Sequence, residues 1–251
     1  MRFASYVPSE RMRWGLGDVG LGLALFAIVL VGAATLLTMI GGFEPAAVNF
    51  AVGIASYSAL AFAVVRASRR KGLRSLAADF GLSFAPIDAV IGVAVGLAIK
   101  GLSVAVTLAA IAVTGNTPDE GNLTLSRDVL WIVLGGVVVT SMLAPVVEEL
   151  FFRGLMFRSV RNIFLRGDRA LDSRAQRHAV ATAIVANSVL FMLLHSWQAT
   201  DVTLLIALAL STLLVGIANS FLVAITGRLG PGIIAHVVFN ATAVFALLGS
   251  R

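Results

Sequence analysis

Runs of apolar residues about 20 long, the length that crosses a bilayer as a helix, recur along this chain. They lie at 19–41, 46–65, 87–113, 128–150, 179–199, 202–226 and 232–249. A chain built this way takes lipid as its solvent, and it spans lipid as helices because each helix satisfies its own backbone polar groups. The expected fold is all-α, a polytopic transmembrane helical bundle of about seven to eight spans, with the eighth a segment that re-enters. Composition agrees: 59% of the 251 residues are hydrophobic and 13% charged, against about 25% charged in soluble domains. The mean hydropathy is +0.96.

The basic residues order the spans. Arg2, Arg11 and Arg13 precede the first run, and Arg66, Arg69, Arg70, Lys71 and Arg74 follow the second. Arg153, Arg158, Arg161, Arg166, Arg169, Arg174 and Arg177 follow the fourth, and Arg228 follows the sixth. All of these fall on one side. The other side has Arg127 and Arg251 among Glu44, Asp119, Glu120, Asp128 and Asp201. The excess of Lys and Arg marks the cytoplasmic side, so the N-terminus is expected to be cytoplasmic. The first span reads as an anchor that stays rather than a cleaved signal. The stretch Leu73–Phe84, with Arg74 and Asp79 among apolar residues, reads equally as an interfacial amphipathic helix or as a connecting loop. Lysine is scarce beside abundant Ala, Val and Gly, a lean toward a GC-rich bacterial genome and so toward a bacterial plasma membrane.

Some chemistry is excluded at once. With no cysteine, there is no disulfide, thiolate metal site or cysteine nucleophile. The net charge of +6 comes from residues between spans, where it sets topology, so no nucleic-acid partner is expected.

Ionisable groups inside a span are costly and are kept where they have partners and a task. Three segments break the apolar pattern: Glu148-Glu149-Leu150-Phe151-Phe152-Arg153, Phe191-Met192-Leu193-Leu194-His195 and His236-Val237-Val238-Phe239-Asn240. Glu149 and Arg153 are four apart and pair on one helix face, with the acid first. That reads as a salt bridge at a helix end near the membrane boundary. Glu148 is turned about 100° away and has no local cation, so it is the group suited to take a proton from water. His236 and Asn240 share a face, and His195 ends an apolar run. His178 lies in a basic loop and reads as solvated. Two carboxylates, two imidazoles and an amide allow three chemistries. One is hydrolysis with Glu148 as base; another is a zinc site from Glu148, His195 and His236; the third is a proton relay in a transporter.

In that order the three segments resemble the CPBP family of membrane proteins, which includes type II CAAX prenyl proteases and bacterial bacteriocin-processing and self-immunity proteins. The family pattern is Glu-Glu-x-x-x-Arg, then Phe-x-x-x-His, then His-x-x-x-Asn, and every signature position is filled here. The approach Thr226-Gly227-Arg228-Leu229-Gly230-Pro231 is also similar. The resemblance covers roughly residues 130–245, dividing the chain into N-terminal transmembrane helices over 1–125 and a catalytic core over 126–249. It implies a membrane-embedded endopeptidase with a cavity open to the cytoplasmic side and a peptide or protein substrate, membrane-bound or lipidated. It further implies that Glu148 activates water with help from His195, that His236 and Asn240 stabilise the oxyanion, and that Glu149 and Arg153 orient the site. The metalloprotease name often given to the family leaves zinc open as cofactor. A non-catalytic immunity or scaffold member is the alternative within the family, and a proton-coupled transporter the alternative outside it. For His195 to meet Glu148, its helix starts before residue 179, or is strongly tilted, or the Glu148 helix runs on through Phe157. An early start combined with the continued helix is favoured, since Pro145 can bend it.

Overall fold

Acidic caps and prolines decide where the helices begin. The computed structural model describes residues 3–4, 11–118, 128–165 and 172–249. Arg2, Asp119, Glu120, Arg127, Arg166, Arg169 and Arg251 lie outside the described residues. Prolines, which need no N–H partner in a first turn, open α2 (Pro45–Lys71) and α4 (Pro86–Thr114). Aspartates cap the first N–H groups elsewhere. Asp128 opens α5 (Val129–Phe164) by accepting from Leu130 N–H at 2.8 Å. Asp172 opens α6 (Ser173–Ser196), and the N–H groups of Arg174 and Ala175 hold its carboxyl below its ordinary value. Asp201 opens α7 (Val202–Thr226) through Leu204 N–H at 2.8 Å. The other helices are α1 (Leu16–Ile40), the single turn α3 (Leu76–Phe80) and α8 (Gly230–Gly249).

The molecule is a helical bundle, and no strand occurs among the described residues. Among the described residues, six helices are long and apolar enough to cross a membrane: α1, α2, α4, α5, α6 and α7. The count of seven is reached only with α8, whose apolar stretch Gly230–Phe245 is shorter than the rest. The span expected at 128–150 continues without a break to Phe164, and the span expected from 179 begins at Ser173. His178 is therefore an exposed helical residue and not part of a loop.

Helix α5 does not keep one winding. Its hydrogen bonds widen to five residues over Ile132–Leu143 and again over Glu149–Met156, with an ordinary α-helical stretch between them at Ala144–Glu148. Pro145 sits at the start of that stretch and can give no ladder hydrogen bond. Wide turns of this kind gather at functional sites, and here they flank Glu148 and Glu149.

α4 and α8 approach closely because Gly92 and Gly96, four residues apart, remove the side chains between them. A Cβ at Gly96 would stand 2.6 Å from the Ala235 carbonyl oxygen and 2.9 Å from Val238 Cβ. Gly96→Leu is expected to cost about 1–3 kcal/mol as overpacking and to displace His236, the residue after Ala235. Denaturant unfolding in detergent measures it, and an unchanged midpoint would show that the helices can part there freely.

The stretch after α2, which contains α3, is folded into the protein. Asp79, wholly buried, accepts hydrogen bonds from Trp14 Nε1 at 3.2 Å, Ser68 Oγ at 2.7 Å and Leu73 N–H at 2.9 Å. The α7–α8 turn docks on the same loop. Leu229 N–H donates to Gly81 O at 2.8 Å, Gly230 N–H to Ser83 O at 3.2 Å, and Arg228 pairs with Asp88 at 2.6 Å. The turn starts at Gly227, whose φ of 72° favours glycine.

Candidate active site

The polar residues singled out in the sequence come from α5, α6 and α8, and five of the six meet. Glu149 is the hub of the inner layer. Its Oε1 lies 3.1 Å from Arg153 Nη1 and accepts from His236 Nδ1 at 3.0 Å and from Asn219 Nδ2 at 2.9 Å. Neither Glu149 nor Arg153 is exposed at all. The pair is thus deep in the bundle, and not at the helix end where the sequence put it. Arg153 also lies over the Phe191 ring, its Cζ 4.5 Å from the centroid, and its Nη2 donates to Val215 O at 3.4 Å.

Glu148 belongs to the next layer out. It accepts a hydrogen bond from Tyr57 Oη at 3.1 Å. His236 Nε2 stands 3.7 Å from its Oε2 and His195 Nε2 4.0 Å from its Oε1. Each imidazole uses Nδ1 elsewhere, His236 toward Glu149 and His195 by donating to Phe191 O at 2.8 Å. Anchored this way, both rings turn Nε2 toward Glu148. The ring of Phe191 packs between them, with centroids 4.3 Å from His195 and 5.7 Å from His236. The depth condition set in the sequence is met by both routes together, the early start of α6 and the continuation of α5.

Asn240 is the sixth residue, and it stands apart from the carboxylates. Its Nδ2 donates to Thr140 O at 2.8 Å, which engages one of two amide hydrogens. It lines the same cavity as Glu148, His195 and His236.

Two cavities meet at Glu148. One, of ≈ 230 Å³, lies among α1, α2 and α6, and the other, of ≈ 340 Å³, lies among α4, α5, α7 and α8. Tyr57, Glu148, His195 and Gln198 line both, so the two adjoin as a chamber divided at the reactive groups. The chamber reaches the ends of the helices where Asn49, Pro118, Trp197 and Leu204 stand. That end carries Glu44, Asp128 and Asp201, and among the described residues no Lys or Arg. It is opposite to the basic end.

Residues 130–242 match the type II CAAX prenyl endopeptidase Rce1-like family. The match contains all three motifs. Over these residues the chain is similar to that family. No curated protein and no solved structure matches the chain. A protease family and six apolar spans make the chain an integral membrane protein with an Rce1-like core.

Sequence reasoning missed two residues of the site around this core, Tyr57 and Asn219. Each is a polar group inside an apolar run, which was the available signal. Lys100 is a third polar residue inside an apolar run. It lines the larger cavity, its Nζ 5.5 Å from the centre of the Phe239 ring, with Ser103 and Thr107 following it along α4.

The zinc expectation meets a geometric test. Two ligands of a tetrahedral zinc at 2.0–2.1 Å lie about 3.4 Å apart, whereas the imidazole nitrogens stand 3.7 and 4.0 Å from the Glu148 oxygens. Among the described residues no group of three or more His, Cys, Asp or Glu side chains is arranged to hold an ion. The set as placed does not fit zinc, and no step below runs through a metal. Metal content of the purified protein decides the matter independently.

Proposed function

We infer that the Rce1-like core is an intramembrane endopeptidase in which Glu148 is the general base on water. The observation that carries this reading is the contrast between adjacent carboxylates. Glu149 Oε1 is engaged by three groups and the residue is sealed from solvent. Glu148 faces a chamber with one hydrogen-bond donor and two imidazole nitrogens around it.

The chemistry is a balanced hydrolysis. Glu148 takes a proton from water as the water oxygen bonds to the scissile carbonyl carbon. As the C–N bond breaks, the same proton passes to the leaving amine. His195 supports the exchange through Nε2. His236 becomes an oxyanion donor when Nε2 is protonated, and the resulting imidazolium is held by Glu149 at Nδ1. Asn240 supplies the second donor from its remaining amide hydrogen. Glu149, Arg153 and Asn219 are positioning residues, since they fix the His236 ring from behind.

Asn240→Ala is expected to lower kcat by about 10²–10³-fold, the usual loss for one oxyanion donor, with KM little changed. A fall confined to KM would make Asn240 a substrate contact instead. The overall reading is tested by mapping new protein N-termini in membranes from cells with the wild type and with Glu148→Gln. Termini that depend on Glu148 are expected. Their absence favours a non-catalytic family member, and proton flux abolished by the same change favours a transporter.

A further inference from the structure

The direction of the chamber has a consequence for what can enter it. Every described Lys and Arg except Lys100 and Arg153 lies at one end of the bundle: Arg11 and Arg13, the cluster from Arg66 to Arg74, Arg158 and Arg161, Arg174 and Arg177, and Arg228. Some of this charge is matched there, as Asp18 pairs with Lys71 at 2.8 Å and Asp88 with Arg228 at 2.6 Å. Orientation follows the count of Lys and Arg near the span ends and not the net charge, so the pairing leaves the bias intact. By that rule the basic end is cytoplasmic.

The site is closed toward that end. Below Glu149, Phe80, Leu155 and Leu229 are buried to 0–1% exposure. A Cβ on Gly154 would stand 2.9 Å from Phe80 Cβ, which leaves no passage between α5 and the loop after α2. Asn219 Nδ2 bridges Glu149 and the Gly232 carbonyl, joining α7 to α8 across the floor.

Toward the other end the cavity wall is mostly apolar and carries a few polar side chains. Lys100, Ser103 and Thr107 follow one stripe of α4, and Ser211 and Thr212 face them from α7. Ser103 and Ser211 hydrogen-bond at 2.6 Å. Charged groups at membrane depth are kept where they meet partners or water; Lys100 is half-buried at this cavity, which reaches Pro118 at the acidic end.

We propose that the chamber takes both its water and its substrate from the non-cytoplasmic face, and that the substrate is a segment of a membrane-anchored polypeptide lying on that face. The substrate part rests on the endopeptidase reading; the access part rests on charge and packing alone.

The chain has no cysteine, so single cysteines report access without background. Thr107→Cys and Gln198→Cys report the chamber, and Arg69→Cys reports the basic end. The full chain is placed in right-side-out spheroplasts and treated with a membrane-impermeant maleimide. Labelling of Thr107→Cys and Gln198→Cys, with Arg69→Cys labelled only after permeabilisation, is the expected result. Failure of Thr107→Cys to label before permeabilisation overturns the proposal, whether or not it labels afterwards. This readout needs no catalysis, so it stands or falls apart from the peptidase reading. If cleavage is found, Glu148-dependent termini are expected in segments on the non-cytoplasmic face, and cytoplasmic termini overturn the substrate assignment.

Discussion

Glu148→Gln is expected to lower kcat/KM of the purified protein by about 10²–10⁴-fold, the contribution of a positioned general base, while the protein stays folded. Glutamine keeps the volume and can still accept the Tyr57 hydrogen bond, now 3.1 Å long, but it cannot carry a proton away from water. The imidazoles cannot replace it, because each is fixed through Nδ1 and points Nε2 at residue 148 itself. His195→Gln is therefore the informative comparison: its effect should be smaller, since His195 is the more distant and more exposed of the two rings. A substrate taken from the terminal mapping, assayed in detergent and in liposomes, supplies the measurement. Unchanged cleavage by Glu148→Gln removes Glu148 as the base. Loss of cleavage together with loss of the unfolding transition makes the residue structural.

Much of this site could be read from the chain because its chemistry is local. The Glu149–Arg153 pair is a four-residue spacing on one helix, and the His236–Asn240 spacing puts both side chains on one face of another. The depth of these groups was less legible. Arg153 was read as a boundary residue since the apolar run ends there, yet α5 continues to Phe164 and carries the pair into the interior. Where a helix stops is set by caps such as Asp172 and by docking of its far end, and neither shows in hydropathy. Tyr57 and Asn219 escaped for a different reason. A polar residue in a span announces that it has a partner, but the partners lie 91 and 70 residues away in sequence. The Asn240 bond to Thr140 depends on the widened turns of α5, which no side-chain pattern encodes. Gly92 and Gly96 are legible as a close-packing pair four residues apart, and they set the distance at which α8, with His236, stands from α4.

Arg153→Met is expected to destabilise the protein by about 3–5 kcal/mol, the cost of leaving one member of a buried ion pair without the other. The arginine neutralises Glu149 where neither side chain has any exposure. It also fills the space over Phe191, a cation–π contact. Methionine restores part of the packing and none of the charge, so the loss falls on electrostatics. The carboxylate left behind keeps Asn219 and His236 as partners, and those cannot supply a permanent positive charge. The double variant Glu149→Gln with Arg153→Met removes both charges together. It is expected to recover a large share of the stability, as apolar or neutral replacement of a whole buried pair often does. Activity should not return with stability, because His236 then lacks the carboxylate that orients its ring and balances an imidazolium. Unfolding in detergent and cleavage measured on the same preparations separate the two effects. Equal stability of Arg153→Met and wild type would show that the pair carries no folding energy. Full activity in the double variant would strip Glu149 of its positioning role.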